Sequence, residues 1–190
     1  MKEASSGHEN VLMQRLQQNN EEALASLMAM YYDDLYNYAA RFKNDDGLIK
    51  DCIQEVFISL WQRRETAASI LSPKFYFLRA IKNKILKSLH KASRTSTLEF
   101  HGEYDFSHEF SIERVIIEKQ VSEEKADKLR KTLSMLSKRQ KEIIYLKYYQ
   151  HLDHGQIAEL MSLNRQSVYN LLHEAINKLR SLWHSEFVNR

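Results

Sequence analysis

Four polar side chains open the last long periodic stretch of the chain: Arg165, Gln166, Tyr169 and Asn170. At i, i+1, i+4 and i+5 they share one side of a helix near its start. All four can hydrogen bond to DNA. The other side carries Val168, Leu171, Leu172, Ala175, Ile176, Leu179, Leu182 and Trp183, one continuous apolar stripe. A shorter helix over 155–161 precedes it, with Asp153 as N-cap. Small Ala158 falls where the two helices cross, and Ile157, Met161, Leu163 and Leu171 fill the remaining inward positions. This is helix-turn-helix spacing, in which the second helix lays its N-terminal residues against base edges. Ser162 stands in the turn where glycine is usual, because φ is positive there. An αα-hairpin that only packs shares the apolar stripe, so the polar residues carry the DNA reading.

A second group is electrostatic. Segment 74–94 holds seven Lys or Arg and no acid, whereas 95–113 holds five acids and no Lys or Arg. The net charge of +3 hides this contrast. After the only proline, Pro73, a helix is predicted over about 74–91. Phe75, Leu78, Ile81, Ile85 and Leu89 can face inward. Arg79, Lys82, Asn83, Lys84, Lys87 and Lys91 crowd the rest, with Tyr76 and Phe77 at the start. Cations track phosphates and rings stack on unpaired bases, which suits single-stranded nucleic acid. A plainly solvated basic face is the other reading.

The third group lies on a helix over 48–63. Ile49, Cys52, Ile53, Val56, Phe57, Leu60 and Trp61 make its inner stripe, which places Cys52 in the core as a structural thiol. The outer side carries Asp51, Gln54, Glu55, Ile58 and Gln62. An apolar Ile58 among polar residues is either a scattered exposed side chain or part of a protein-docking surface.

The residues of catalysis do not assemble. No Gly-rich phosphate loop, nucleophile elbow or Cys-x-x-Cys occurs. Asp51 and Glu55 are an acidic pair with no cleft around them. His151 and His154 have ligand spacing, but no cysteine completes a tetrahedral site. No catalytic residue, metal or cofactor is expected.

These groups must be positioned by helices. Four glycines and one proline in 190 residues are too few for the turns of an all-β fold. The expected fold is all-α: two small helical domains joined by a flexible linker, the C-terminal one containing the helix-turn-helix. Residues 1–10 read as a mobile tail. A first short helix follows through Val11, Leu12 and Leu16, broken at Asn19–Asn20. The next runs over 21–42 with Leu24, Leu27, Met28, Tyr31, Leu35, Tyr38 and Phe42 buried. The first domain covers 11–93, the acidic linker 94–121 and the second domain 122–190. Helical spacing resumes over 112–136, and a Ser137/Gln140 capping box starts a helix burying Ile143, Ile144, Leu146 and Tyr148. One cysteine, no membrane-length apolar run and no signal-peptide core in 1–7 point to the cytoplasm, without stable membrane insertion.

In three stretches the chain resembles the extracytoplasmic-function (ECF) sigma factors of bacterial RNA polymerase. Asp-Cys-Ile-Gln-Glu-Val-Phe-Ile-Ser-Leu-Trp over 51–61 is similar to the family's polymerase-docking helix. Tyr-Phe-Leu-Arg-Ala-Ile-Lys-Asn over 76–83 is similar to the helix reading the melted −10 element, and 136–180 to the domain reading the −35 element. The resemblance implies a promoter-specificity subunit, not an enzyme, whose partners are core RNA polymerase and promoter DNA. It implies that Asp51, Gln54, Glu55 and Ile58 dock on the clamp of the largest polymerase subunit. Tyr76, Arg79, Lys82 and Asn83 then contact the −10 strand, with 64–72 a pocket loop for a flipped base. Arg165, Gln166, Tyr169 and Asn170 face the −35 duplex, and the acidic linker threads the RNA-exit path. Regulation by an anti-sigma factor is a further implication. Ser162, Lys87 and Lys138 depart from the family pattern, and Ser162 bears on the angle of the second helix. Two other classes remain for comparison. A helix-turn-helix repressor or activator needs no docking helix at 51–61. A protein-binding adaptor needs no Arg165, Gln166 and Asn170.

Overall fold

The computed structural model describes residues 2–95, 106 and 122–185, with side chains over 7–91, 106 and 122–183. Every regular element among the described residues is helical. The chain divides into two compact units, Met1–Tyr104 and Asp105–Arg190.

The first unit comprises α1 (Lys2–Gln17), α2 (Glu21–Ala39), α3 (Asp46–Gln62), a 3-10 turn (Arg64–Ser69) and α4 (Pro73–Thr95). Helix α1 begins within the stretch expected to be a tail. Lys2, Glu3 and Ala4 are good helix formers, and a helix already anchored by buried Leu12, Met13 and Leu16 extends cheaply one residue at a time. Asn19, at φ 62°, ends it; asparagine tolerates the left-handed region better than most residues. Asn20 then caps α2, its Oδ1 accepting from Ala23 N at 2.8 Å. The buried stripe of α2 is Ala23, Leu27, Tyr31, Leu35, Tyr38 and Ala39. Leu24 and Met28, expected inside, are only half-buried, because the inward line of α2 runs through Ala23, Leu27, Tyr31 and Leu35 instead. Asp45 caps α3 by accepting from Leu48 N at 3.0 Å, so α3 starts at Asp46, ahead of the expected start at residue 48. Ile49, Cys52, Ile53, Val56, Phe57 and Leu60 are buried as the periodicity requires. Burial pushes the Cys52 thiol above its ordinary pKa.

Helix α4 is rotated from the expected orientation. Phe77, Leu78, Ile81, Lys82 and Ile85 are buried, while Phe75 and Leu89 are half-buried. The cause is aromatic packing. The Phe77 ring lies 4.7 Å from Tyr31 and 5.0 Å from Phe57, distances at which tilted rings attract. Phe77 is therefore core, not a platform for bases.

The second unit holds α5 (Glu123–Ser134), α6 (Lys138–Ile144) running into a π turn (Tyr145–Tyr149), α7 (His154–Met161) and α8 (Arg165–Ser185). Both halves of the Ser137/Gln140 capping box form, at 3.3 and 3.1 Å. The π turn closes with Gln150 N donating to Tyr145 O at 3.0 Å. Its extra residue advances the following side chains around the axis. Tyr148, expected inside, is thus 54% exposed, whereas Tyr145 at the start of the turn is buried. Phe106, within the expected linker, is buried with its ring 6.0 Å from Tyr145. Segments 96–105 and 107–121, the rest of that linker, lie outside the described residues.

Candidate interaction sites

The outer row of α3 is open. Asp51, Gln54 and Glu55 are exposed and Ile58 is 46% exposed. Their i, i+3, i+4, i+7 spacing makes a single stripe, displaced from the buried one. Glu55 is engaged: its Oε2 accepts from Lys84 Nζ of α4 at 2.7 Å. This ammonium holds the Glu55 carboxyl below the usual carboxylate range.

Next to that row, α3 and α4 bound a groove of about 450 Å³. Val56, Ser59 and Arg63 line it from α3 and its C-cap. Tyr76, Arg79, Ala80, Asn83, Lys84 and Lys87 line it from α4. Four cations and no acid face this space. Tyr76 is half-buried there, and burial pushes its phenol up against the lowering effect of Arg63. Three of the expected −10 residues, Tyr76, Arg79 and Asn83, meet in the groove. Lys82 does not: it is 5% exposed, with its ammonium 5.8 Å from the Phe42 ring centroid. The long aliphatic stem lets a lysine cross the core in this way. Lys84 and Lys87, expected on the basic face of this helix, line the groove as well, and Arg63 is the one cation there that the sequence did not single out. Residues 76, 79, 80, 83, 84 and 87 do share a helical stripe, so the signal was present once the rotation of α4 was known.

The 3-10 turn beside the groove is braced by α1. Arg64 donates to Asn19 Oδ1 and, at 2.9 Å, to Trp61 O, with its guanidinium 4.6 Å over the Trp61 ring. Gln17 Nε2 donates to Glu65 O at 2.7 Å.

In the second unit the expected helix-turn-helix is formed. Asp153 and Gln156 cap α7 reciprocally at 2.9 and 3.1 Å. Ser162 sits at φ 52°, ψ 49°, in the left-handed region that glycine prefers. Asn164 caps α8, its Oδ1 accepting from Ser167 N at 2.7 Å. Val168, Leu172 and Ala175 are buried, and Leu171, Ile176, Leu179, Leu182 and Trp183 are half-buried. Arg165, Gln166, Tyr169 and Asn170 are all exposed. Gln166 Nε2 donates to Asn170 Oδ1 at 3.0 Å, and the Tyr169 ring lies 4.3 Å from the His154 ring. Among the described residues no group of three or more His, Cys, Asp or Glu is arranged to hold a metal ion. No described helix is long and apolar enough to cross a membrane.

The two units match two family models: residues 27–95 match Sigma-70 region 2, and residues 126–179 match Sigma-70, region 4. No curated protein matches the chain in sequence. Among solved structures, CnrH in complex with the cytosolic domain of CnrY is similar at a TM-score of 0.55 and 17% identity, over 94% of this chain and 98% of that one. The sigma factor RpoE in complex with the anti-sigma factor NepR from Bartonella quintana is similar at a TM-score of 0.55 and 16% identity, over 82% of this chain and 92% of that one. At such identities these two speak for the fold. Region 2 in one unit and a region 4 helix-turn-helix in the other define a transcription initiation factor. The chain belongs to the sigma-70 family, whose members bind core RNA polymerase and promoter DNA and direct transcription initiation.

Proposed function

We propose that three separate surfaces divide this work. The outer row of α3, Asp51, Gln54, Glu55 and Ile58, docks on core polymerase. The groove between α3 and α4 takes the melted −10 strand through Tyr76, Arg79 and Asn83, with Arg63, Lys84 and Lys87 on its phosphates. The start of α8 reads the −35 duplex through Arg165, Gln166, Tyr169 and Asn170. Residues 11–93 serve the first two surfaces and 122–190 the third, while the acidic segment 94–121 follows the RNA-exit path. Lys82 takes part indirectly, as a buried support of α4. The protein works in the cytoplasm and has no catalytic activity of its own. An anti-sigma partner, as in the RpoE complex, would act by covering the Ile58 row and the adjoining basic groove.

The observation that supports this most is the groove: four cations, one half-buried tyrosine and no acid, beside an exposed row of different character. Cations supply salt-sensitive affinity and the ring a surface for an unpaired base, worth about 1–3 kcal/mol per stacked base. The test is to mix the purified chain with core polymerase and fragmented genomic DNA, then sequence transcript 5′ ends. Co-elution with core and initiation at sites sharing −35 and −10 elements is expected. Failure to co-elute and an absence of new start sites would overturn the proposal.

A further inference from the structure

The four residues at the start of α8 are not equally free. Gln166 and Asn170 are joined to each other, Nε2 to Oδ1 at 3.0 Å. Arg165 and Tyr169 instead rest on the first turn of α7. A Cβ built on Gly155 would stand 3.5 Å from Arg165 Nη2, so the guanidinium lies directly over that glycine. The Tyr169 ring sits 4.3 Å from the His154 ring at an interplanar angle of 43°. Tyr169 is nevertheless 54% exposed, so nothing buries it into one rotamer. An exposed tyrosine on a helix samples more than one χ1 well, and a ring against one side restricts that choice. His154 can supply this support because Asp153, one residue before it, is fixed by its reciprocal cap with Gln156.

We infer that His154 is a positioning residue for promoter reading: its ring holds Tyr169 in the orientation that meets the −35 duplex. The inference rests on the assignment of α8 to that duplex. It makes α7 more than a spacer, since its first turn aims half of the reading residues. Preorganisation of this kind adds to affinity by reducing the order that must be imposed on binding. It acts only at the base that Tyr169 meets.

The experiment is selection from a randomised duplex library by the full chain bound to core polymerase. It is run with the wild-type chain and with His154→Ala, His154→Phe and Tyr169→Ala. Tyr169→Ala is expected to flatten preference at one or two positions of the upstream element, by about tenfold in discrimination. His154→Ala should flatten the same positions severalfold and leave the others intact. His154→Phe, which keeps a ring, should restore them. A merely structural loss would weaken all positions together and would not respond to which ring replaces the imidazole. If His154→Ala selects the wild-type element unchanged, or flattens every position equally, the inference is wrong. If the wild-type chain enriches no upstream element at all, the assignment of α8 itself fails, and that outcome is distinct from a variant-specific one.

Discussion

Replacing Phe77 by alanine separates a core residue from a base-stacking one. Phe77 is fully buried, and its ring lies 4.7 Å from Tyr31, 5.0 Å from Phe57 and 5.5 Å from Tyr76. Truncating a buried phenylalanine costs about 3–5 kcal/mol through lost transfer energy and the cavity left behind. Three ring neighbours argue for the middle of that range, about 4 kcal/mol. Small domains have urea slopes of about 1–3 kcal/mol/M, so the midpoint should fall by about 2 M. Each unit carries one tryptophan, Trp61 in the first and Trp183 in the second. In a Trp183→Phe background, Trp61 fluorescence therefore reports the first unit alone. Tyr76→Ala in the same background, at a half-buried ring, should cost about 1–2 kcal/mol, clearly less than Phe77→Ala, while weakening capture of a melted −10 strand. The reasoning would be refuted by an unchanged midpoint for Phe77→Ala together with lost strand binding. Phe77 would then be a reader and the aromatic core misplaced.

Other outcomes follow from the same structure. Ser162→Gly relieves a left-handed serine that costs about 1–2 kcal/mol but frees the unfolded chain by about 0.5–1 kcal/mol; a net gain of several tenths in thermal unfolding of the second unit is expected, and a loss would contradict the cap geometry. Asp153→Ala removes one side of a capping box and should cost about 1 kcal/mol, read by urea denaturation. Cys52 is buried with a thiol pKa pushed up by that burial, so at neutral pH a thiol reagent should label it only as fast as the first unit opens. Rapid labelling of the folded protein would place it elsewhere.

The sequence revealed most of the scaffold because its signals were local. Asn20, Ser137 and Asp153 cap as their types demand, and the α3 stripe depends only on spacing. The helix-turn-helix, including the unusual Ser162, was legible for the same reason. What was not legible depended on partners. Leu78, Ile81 and Ile85 fit two rotations of α4. Only Phe57 and Tyr31, distant in sequence, select the one that buries Phe77 and Lys82 and turns Arg79, Asn83, Lys84 and Lys87 to the groove. The π turn that exposes Tyr148 likewise has no residue that announces it. The pairing of Tyr169 with His154 joins two helices and could not be read from either alone.

The division of labour is tested most directly by one comparison at the level of the holoenzyme. Affinity for core polymerase is measured for the full chain carrying Asp51→Lys with Glu55→Lys, and for the chain carrying Arg79→Ala with Asn83→Ala. The first pair should lose core affinity by at least tenfold. The second should keep it and instead lose open-complex formation on a promoter identified with the wild-type chain. Equal loss of core affinity by both pairs, or its retention by the charge-reversed pair, would contradict the separation of docking row and strand groove.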